Sequence, residues 1–190
     1  MPPDTRDIDN NRRFFIKASL AFAGVFVLGK ISGLFSLPAR IASTATVLSP
    51  SVSVPPARTR EYRNAQYGFS LQYPNELTVS TVDEGGGAST ITFQNVETAK
   101  GFQIFIVPYK EMQVSEERFK RDVPSGVRES LSDITVDGAT AAAFYSTNAS
   151  LGATREVWVV HNGFLYEATT LKSLDKWFEE IMQTWKFVQI

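Results

Sequence analysis

Cysteine is absent from the 190 residues. That excludes disulfides, thiolate metal sites, a cysteine nucleophile and lipid attachment at a terminal cysteine. Histidine occurs once, at position 161, so no histidine pair exists to ligate a metal. A charge excess is also missing: the net charge of −1 argues against a general nucleic-acid binder. No clean membrane span of the ~18 charge-free apolar residues expected is present either. With 43% apolar and 21% charged residues, the chain is compositionally globular. Its core must stabilise it without covalent staples, and a body of roughly 130 residues buries enough surface to do so.

The near-neutral total hides an asymmetry. From Met1 to Ala57 six basic residues (Arg6, Arg12, Arg13, Lys17, Lys30, Arg40) face three acids (Asp4, Asp7, Asp9). Of the 19 basic and 20 acidic residues overall, 13 and 17 therefore remain for the rest. A basic head precedes a mildly acidic body. Ala18 to Gly29 is a run of twelve uncharged, mainly apolar residues. That length suits the apolar region of a signal, roughly 7–15 residues. A longer span from Phe14 to Leu37 would include Lys17 and Lys30, each off-centre and able to reach the headgroups. No convincing small-x-small cleavage site follows, Leu37-Pro38-Ala39 and Ser43-Thr44-Ala45 being only passable. A retained anchor and a cleaved signal both stay open. Because the basic residues lie before the apolar run, the N-terminus is expected inside and the remainder outside the cytoplasm.

Asn11-Arg12-Arg13-Phe14-Phe15-Ile16-Lys17 resembles the twin-arginine (Tat) export signal. The resemblance assigns targeting roles to Arg12, Arg13, Phe15 and Lys17, and implies export in the folded state. Asn11 departs from the small hydroxyl residue usual at its position. Three regions are expected: a signal or single-pass anchor over 1–37, a Pro/Ser/Thr/Ala-rich linker over 38–61 and a folded body over 62–190. The linker carries Pro38, Pro50, Pro55 and Pro56 and no apolar periodicity, as in an extended tether.

Within the body, alternating segments predict strands over Tyr67–Pro74, Leu77–Val82, Ser89–Gln94 and Phe102–Tyr109, the last apolar enough to be central. Ser115 is placed as the N-cap of a helix with Glu116 and Glu117 in its first turn. Pro124 and Gly126 are expected to interrupt it, with Val127–Leu131 as a further helical turn. Asp137-Gly138 and Asn162-Gly163 predict two hairpins. Ser173 is placed as the cap of a helix through Thr184, with Leu174, Trp177, Phe178, Ile181 and Trp185 on its apolar face. Lys186–Ile190 is expected to close as a strand. The fold class expected is α+β: an antiparallel sheet with packed helices, preceded by one N-terminal apolar helix and a flexible linker.

Three stretches of the body resemble the PsbP-like family: Tyr67-Gly68-Phe69-Ser70-Leu71-Gln72-Tyr73-Pro74, Ile134-Thr135-Val136-Asp137-Gly138 with its following strand, and Trp177 to Phe187. The resemblance covers residues 62–190 and rests on fold-forming features. It implies a binding or assembly module in place of a catalyst. No metal-binding pattern of the photosynthetic members carries over onto this sequence.

Reactive chemistry is sparse. His161, in His161-Asn162-Gly163, reads as an exposed turn residue. Asp83-Glu84 beside Gly85-Gly86-Gly87 lacks the alternation of a calcium loop, and no helix follows to help bind phosphate. Glu116-Glu117 and Glu179-Glu180 diverge on helical surfaces, whereas acid–base work needs carboxylates that converge. Asn148-Ala149-Ser150 matches a glycosylation acceptor, meaningful only in a suitable secretory host. Trp158, Tyr166 and Trp177 are weak binding candidates as an aromatic patch, against the plainer reading of helix-to-sheet packing. No catalytic residue, metal ligand or cofactor is assigned. The expectation is a non-enzymatic, membrane-tethered extracytoplasmic module with a protein or envelope partner, cytoplasmic-membrane bound or secreted if cleaved. The alternatives are a small-ligand carrier, or a small enzyme whose site assembles from distant residues.

Overall fold

The computed structural model describes residues 58–123 and 125–188. The targeting residues Arg12, Arg13, Phe15 and Lys17, the 1–37 segment and the linker up to residue 57 lie outside the described residues, as does Pro124.

Among the described residues ten strands form two sheets. β1 (Thr59–Asn64), β2 (Phe69–Pro74) and β10 (Lys186–Phe187) make a three-stranded sheet in the order β1-β2-β10. The other seven are β3 (Thr78–Gly85), β4 (Ala88–Asn95), β5 (Lys100–Pro108), β6 (Glu129–Val136), β7 (Ala139–Asn148), β8 (Gly152–His161) and β9 (Phe164–Leu171). They lie in the order β3-β4-β5-β9-β8-β7-β6, every pairing antiparallel. Two meanders, β3 to β5 and β6 to β9, are thus joined at the β5–β9 seam. The connection between them carries helix α1 (Glu116–Asp122); helix α2 (Asp175–Met182) links β9 to β10 after a 3-10 turn, Lys172–Leu174.

Local chemistry accounts for the turns. Asp137 and Gly138 have φ of 45° and 82°, and Asn162 and Gly163 have 47° and 78°. Two successive positive φ values define the turn whose twist matches a hairpin, and Asp, Asn and Gly tolerate that region best. Gly101 has a different reason to be glycine. A Cβ there would sit 2.6 Å from the Phe93 carbonyl oxygen, so β4 and β5 approach too closely for any side chain.

Alternation then distributes the core. One face of the large sheet (Ile91, Phe93, Phe102, Ile104, Val157, Val159, Tyr166) packs against the small sheet and α2 through Phe69, Leu71, Phe178 and Trp185. The other face presents Phe144, Trp158 and Leu165 to α1, where Phe119 stacks on Trp158 at 5.0 Å. The sheet is therefore a middle layer, with most of the apolar surface on the side away from α1.

Several expectations need correction. The α+β class is overturned: 58% of the described residues are strand and only 14% helix, so the body is mainly antiparallel β. The helices are short because their ends fail. α1 stops at Asp122; Val127–Leu131, expected as a helical turn, instead runs into β6 from Glu129. Ser173 is no cap, since it lies inside the 3-10 turn, and α2 begins without a side-chain cap and ends at Met182. The expected N-terminal helix lies outside the described residues. β1 opens at Thr59, inside the stretch read as linker. Its residues are mostly exposed, so it lacks the alternation that marks a strand in sequence; Tyr62, edge-on to Phe93 at 5.1 Å, ties it to the core.

Candidate functional site

The aromatic residues singled out from sequence do not form one patch. Register places Trp158 opposite Glu167 and Tyr166 opposite Val159, so Trp158 and Tyr166 point to opposite faces of the sheet. Both are buried. Tyr166 donates its hydroxyl to the Tyr67 carbonyl oxygen at 2.5 Å, and burial pushes its phenol well above the ordinary tyrosine range. Trp177 is half-buried on α2, edge-on to Phe102 at 6.0 Å. His161 is stacked on Phe187 at 3.8 Å and is half-buried, more enclosed than a turn residue read from sequence. The Asp83-Glu84 pair is occupied locally: Asp83 accepts from the Gly85 N–H and Glu84 from the Thr90 hydroxyl.

The buried charged residues lie at and beneath α1. Arg118, 5% exposed, donates Nη2 to Glu167 Oε1 at 3.2 Å, and its Nε contacts Asp122 one turn along the helix. The Tyr109 ring lies 5.9 Å from its guanidinium. Beside this group Glu156 accepts from the Thr154 hydroxyl at 2.8 Å, the Thr169 hydroxyl at 2.6 Å and Trp158 Nε1 at 3.2 Å. Buried charges are tolerable only when so partnered. These groups hold α1 and β8 in place. Among the described residues no group of three or more His, Asp and Glu is placed to hold a metal ion, and no helix is long and apolar enough to cross a membrane.

Because α1 spans only seven residues, it covers Trp158 and Phe144 but leaves the β6 side of this face open. There a cleft of about 160 Å³ lies between the Gln113-Val114 approach to α1 and strands β6 to β8. Phe119, Trp158, Ala142 and Val160 form its apolar wall, while Leu131 and Asp133 line it from β6. Leu131 is 49% exposed, and Met112, next in sequence to Gln113, is 92% exposed. At the helix end of this region Arg128 lies over the Phe119 ring at 4.5 Å. It donates to both carboxylate oxygens of Glu116, at 3.0 and 2.8 Å, which holds that carboxyl below its usual range.

No family model matches the chain, and no curated protein does. Among solved structures it is similar to the solution structure of cyanobacterial PsbP (CyanoP) from Synechocystis sp. PCC 6803. The sequence identity is 15%, 74% of this chain and 98% of that chain are covered, and the TM-score is 0.48. The reading of the cleft rests on the residues that build it.

Sequence reasoning missed this cleft because it placed Val127–Leu131 in a helical turn. The signal was present in Ser132, Ile134 and Val136, whose spacing of two sends Asp133 to the opposite face of a strand. Glu167 was also legible in principle. A charge between Tyr166 and Ala168 in an apolar strand points to a paired, buried group. Its partner Arg118 carried no such mark, since an arginine in a charged helix reads as solvated.

Proposed function

We propose that this chain is a non-enzymatic binding or assembly module, held by its N-terminal segment and working outside the cytoplasmic membrane, with the α1–β6 cleft as its contact surface. The export reading rests on Arg12, Arg13, Phe15 and Lys17 and on the basic residues ahead of the apolar run. The observation that carries the binding reading is the open, partly apolar cleft with the exposed Leu131 among its lining residues. The buried ionic groups Arg118, Glu156 and Glu167 are engaged in holding secondary structure, and the concave surface beside them is mixed, with Gln113, Asp133 and Thr140 among the apolar side chains that line it. Size favours a protein partner over a carried ligand. Pockets for drug-sized molecules run roughly 300–1,000 Å³, whereas about 160 Å³ resembles the roughly 150 Å³ that accepts one benzene-sized group.

The test is site-specific photo-crosslinking in the native host, with a photoreactive residue at Leu131 of the full chain and a control at Val96, which is 66% exposed in the β4–β5 turn. A discrete adduct is expected from position 131 and not from 96. Protease added to spheroplasts should degrade the body. Equal labelling from both positions, or protection of the body from external protease, contradicts the reading.

A further inference from the structure

We infer that the cleft receives a single large apolar side chain from a partner polypeptide, flanked by a lysine or arginine that pairs with Asp133. This deepens the reading of the cleft as the contact surface and depends on it. Three observations carry it. The volume, about 160 Å³, fits one bulky side chain and not a helix or a lipid chain in extended form. Part of the wall is aromatic and aliphatic, from Phe119, Trp158, Ala142 and Val160, beside the polar Gln113 and Thr140, and an apolar anchor contributes most to an interface where it seats in such an apolar pocket.

The third is charge. Among the described residues Asp133 is the one charged residue lining the cleft, and it enters none of the ion pairs found there. Arg128, over the ring of the cleft-lining Phe119, is paired with Glu116, so its charge is not free to offset Asp133. A partly apolar wall with one uncompensated carboxylate favours a cationic partner and disfavours an acidic one, since like charges at an interface are costly. The anchor and the cation must lie close together in the partner, because Asp133 and Leu131 are two residues apart on one strand.

The experiment is a selection of random twelve-residue peptides, displayed on phage, against the full chain in lipid nanodiscs, with affinities of the enriched peptides then measured on three forms. These are the native chain, Asp133→Asn and Leu131→Asp; both positions are exposed, so both variants keep the core intact. Enriched peptides are expected to place Phe, Leu, Met or Trp within two or three positions of Lys or Arg. Binding should weaken about fivefold in Asp133→Asn, the scale of an exposed ion pair, and lose salt dependence. In Leu131→Asp it should weaken tenfold or more. Neutral or acidic peptides that are sensitive to Leu131→Asp and indifferent to Asp133→Asn would overturn the cationic partner while leaving the cleft as the surface. Indifference to both variants, or no enrichment, overturns both.

Discussion

Asp137 shows how one turn residue acts at a distance. Its positive φ serves the β6–β7 hairpin, and its carboxylate fastens the last strand of the other sheet. It accepts from Lys186 Nζ and from the Phe187 N–H, each at 2.8 Å. The Lys186 contact, then the Phe187 N–H, hold the carboxyl below its ordinary range. A folded-state value below the unfolded one means the stabilisation is fully present above about pH 4 and is lost as pH falls through the folded value. Asn keeps the turn, because it also tolerates positive φ, and removes the charge. Asp137→Asn is therefore expected to lower stability at pH 7 by less than about 1 kcal/mol, both partners being solvated. In urea unfolding the gap between wild type and variant should narrow on going from pH 7 to pH 3. A gap independent of pH would show that the carboxylate charge is not what fastens β10. The hairpin was legible from Asp137-Gly138 alone; the tie to Phe187 was not, because it joins positions 50 residues apart in the chain.

At the scale of elements, α1 is the part most dependent on its ends. Seven residues are too few for a helix to persist on propensity, since isolated helices below about 12–15 residues are marginal in water. Tertiary contacts and a cap must supply the rest. Phe119 stacks on Trp158, and Ser115 Oγ accepts from the Arg118 N–H at 3.2 Å. Ser115→Ala should cost about 1 kcal/mol, read as a lower urea midpoint. The loss of amide protection should concentrate in residues 115–122, since α1 lies outside the larger core. Loss spread evenly over β5 and β9 would mean that the helix and the sheet unfold as one unit. The cap and the acids of the first turn were readable in the sequence as a local signal. The stop before Pro124 was readable as well; the path beyond it was not, because the chain after Val123 leaves to pair with β7, and that decision belongs to a strand some fifteen residues downstream.

For the whole molecule, Trp185 is the joint between the two sheets. It stacks on Phe69 of the small sheet at 4.4 Å and meets Tyr166 of the large sheet edge-on at 5.7 Å. It is 1% exposed, and its indole N–H has no hydrogen-bond acceptor among the described residues. An unpaired buried donor costs about 1–3 kcal/mol, which offsets part of the packing gained from the larger ring. Trp185→Ala should lose about 3–5 kcal/mol, whereas Trp185→Phe, which also removes the stranded donor, should lose markedly less. Equal losses in thermal or urea unfolding would argue that the indole N–H is satisfied in solution.

What the sequence determined by itself was local. Alternation marked strands β2 to β5, Asp-Gly and Asn-Gly set two hairpins and so the strand ends that flank them, Ser115 started a helix, and the missing cysteine and single histidine narrowed the chemistry. Each follows from residues within a few positions of one another, where backbone sterics and period act directly. Tertiary structure decided the rest: the split into two sheets, the strand character of β1 and of the first half of β6, the opposite faces taken by Trp158 and Tyr166, and the cleft. Those depend on which distant surface each element meets, because an apolar side chain specifies that it will be buried but not against what.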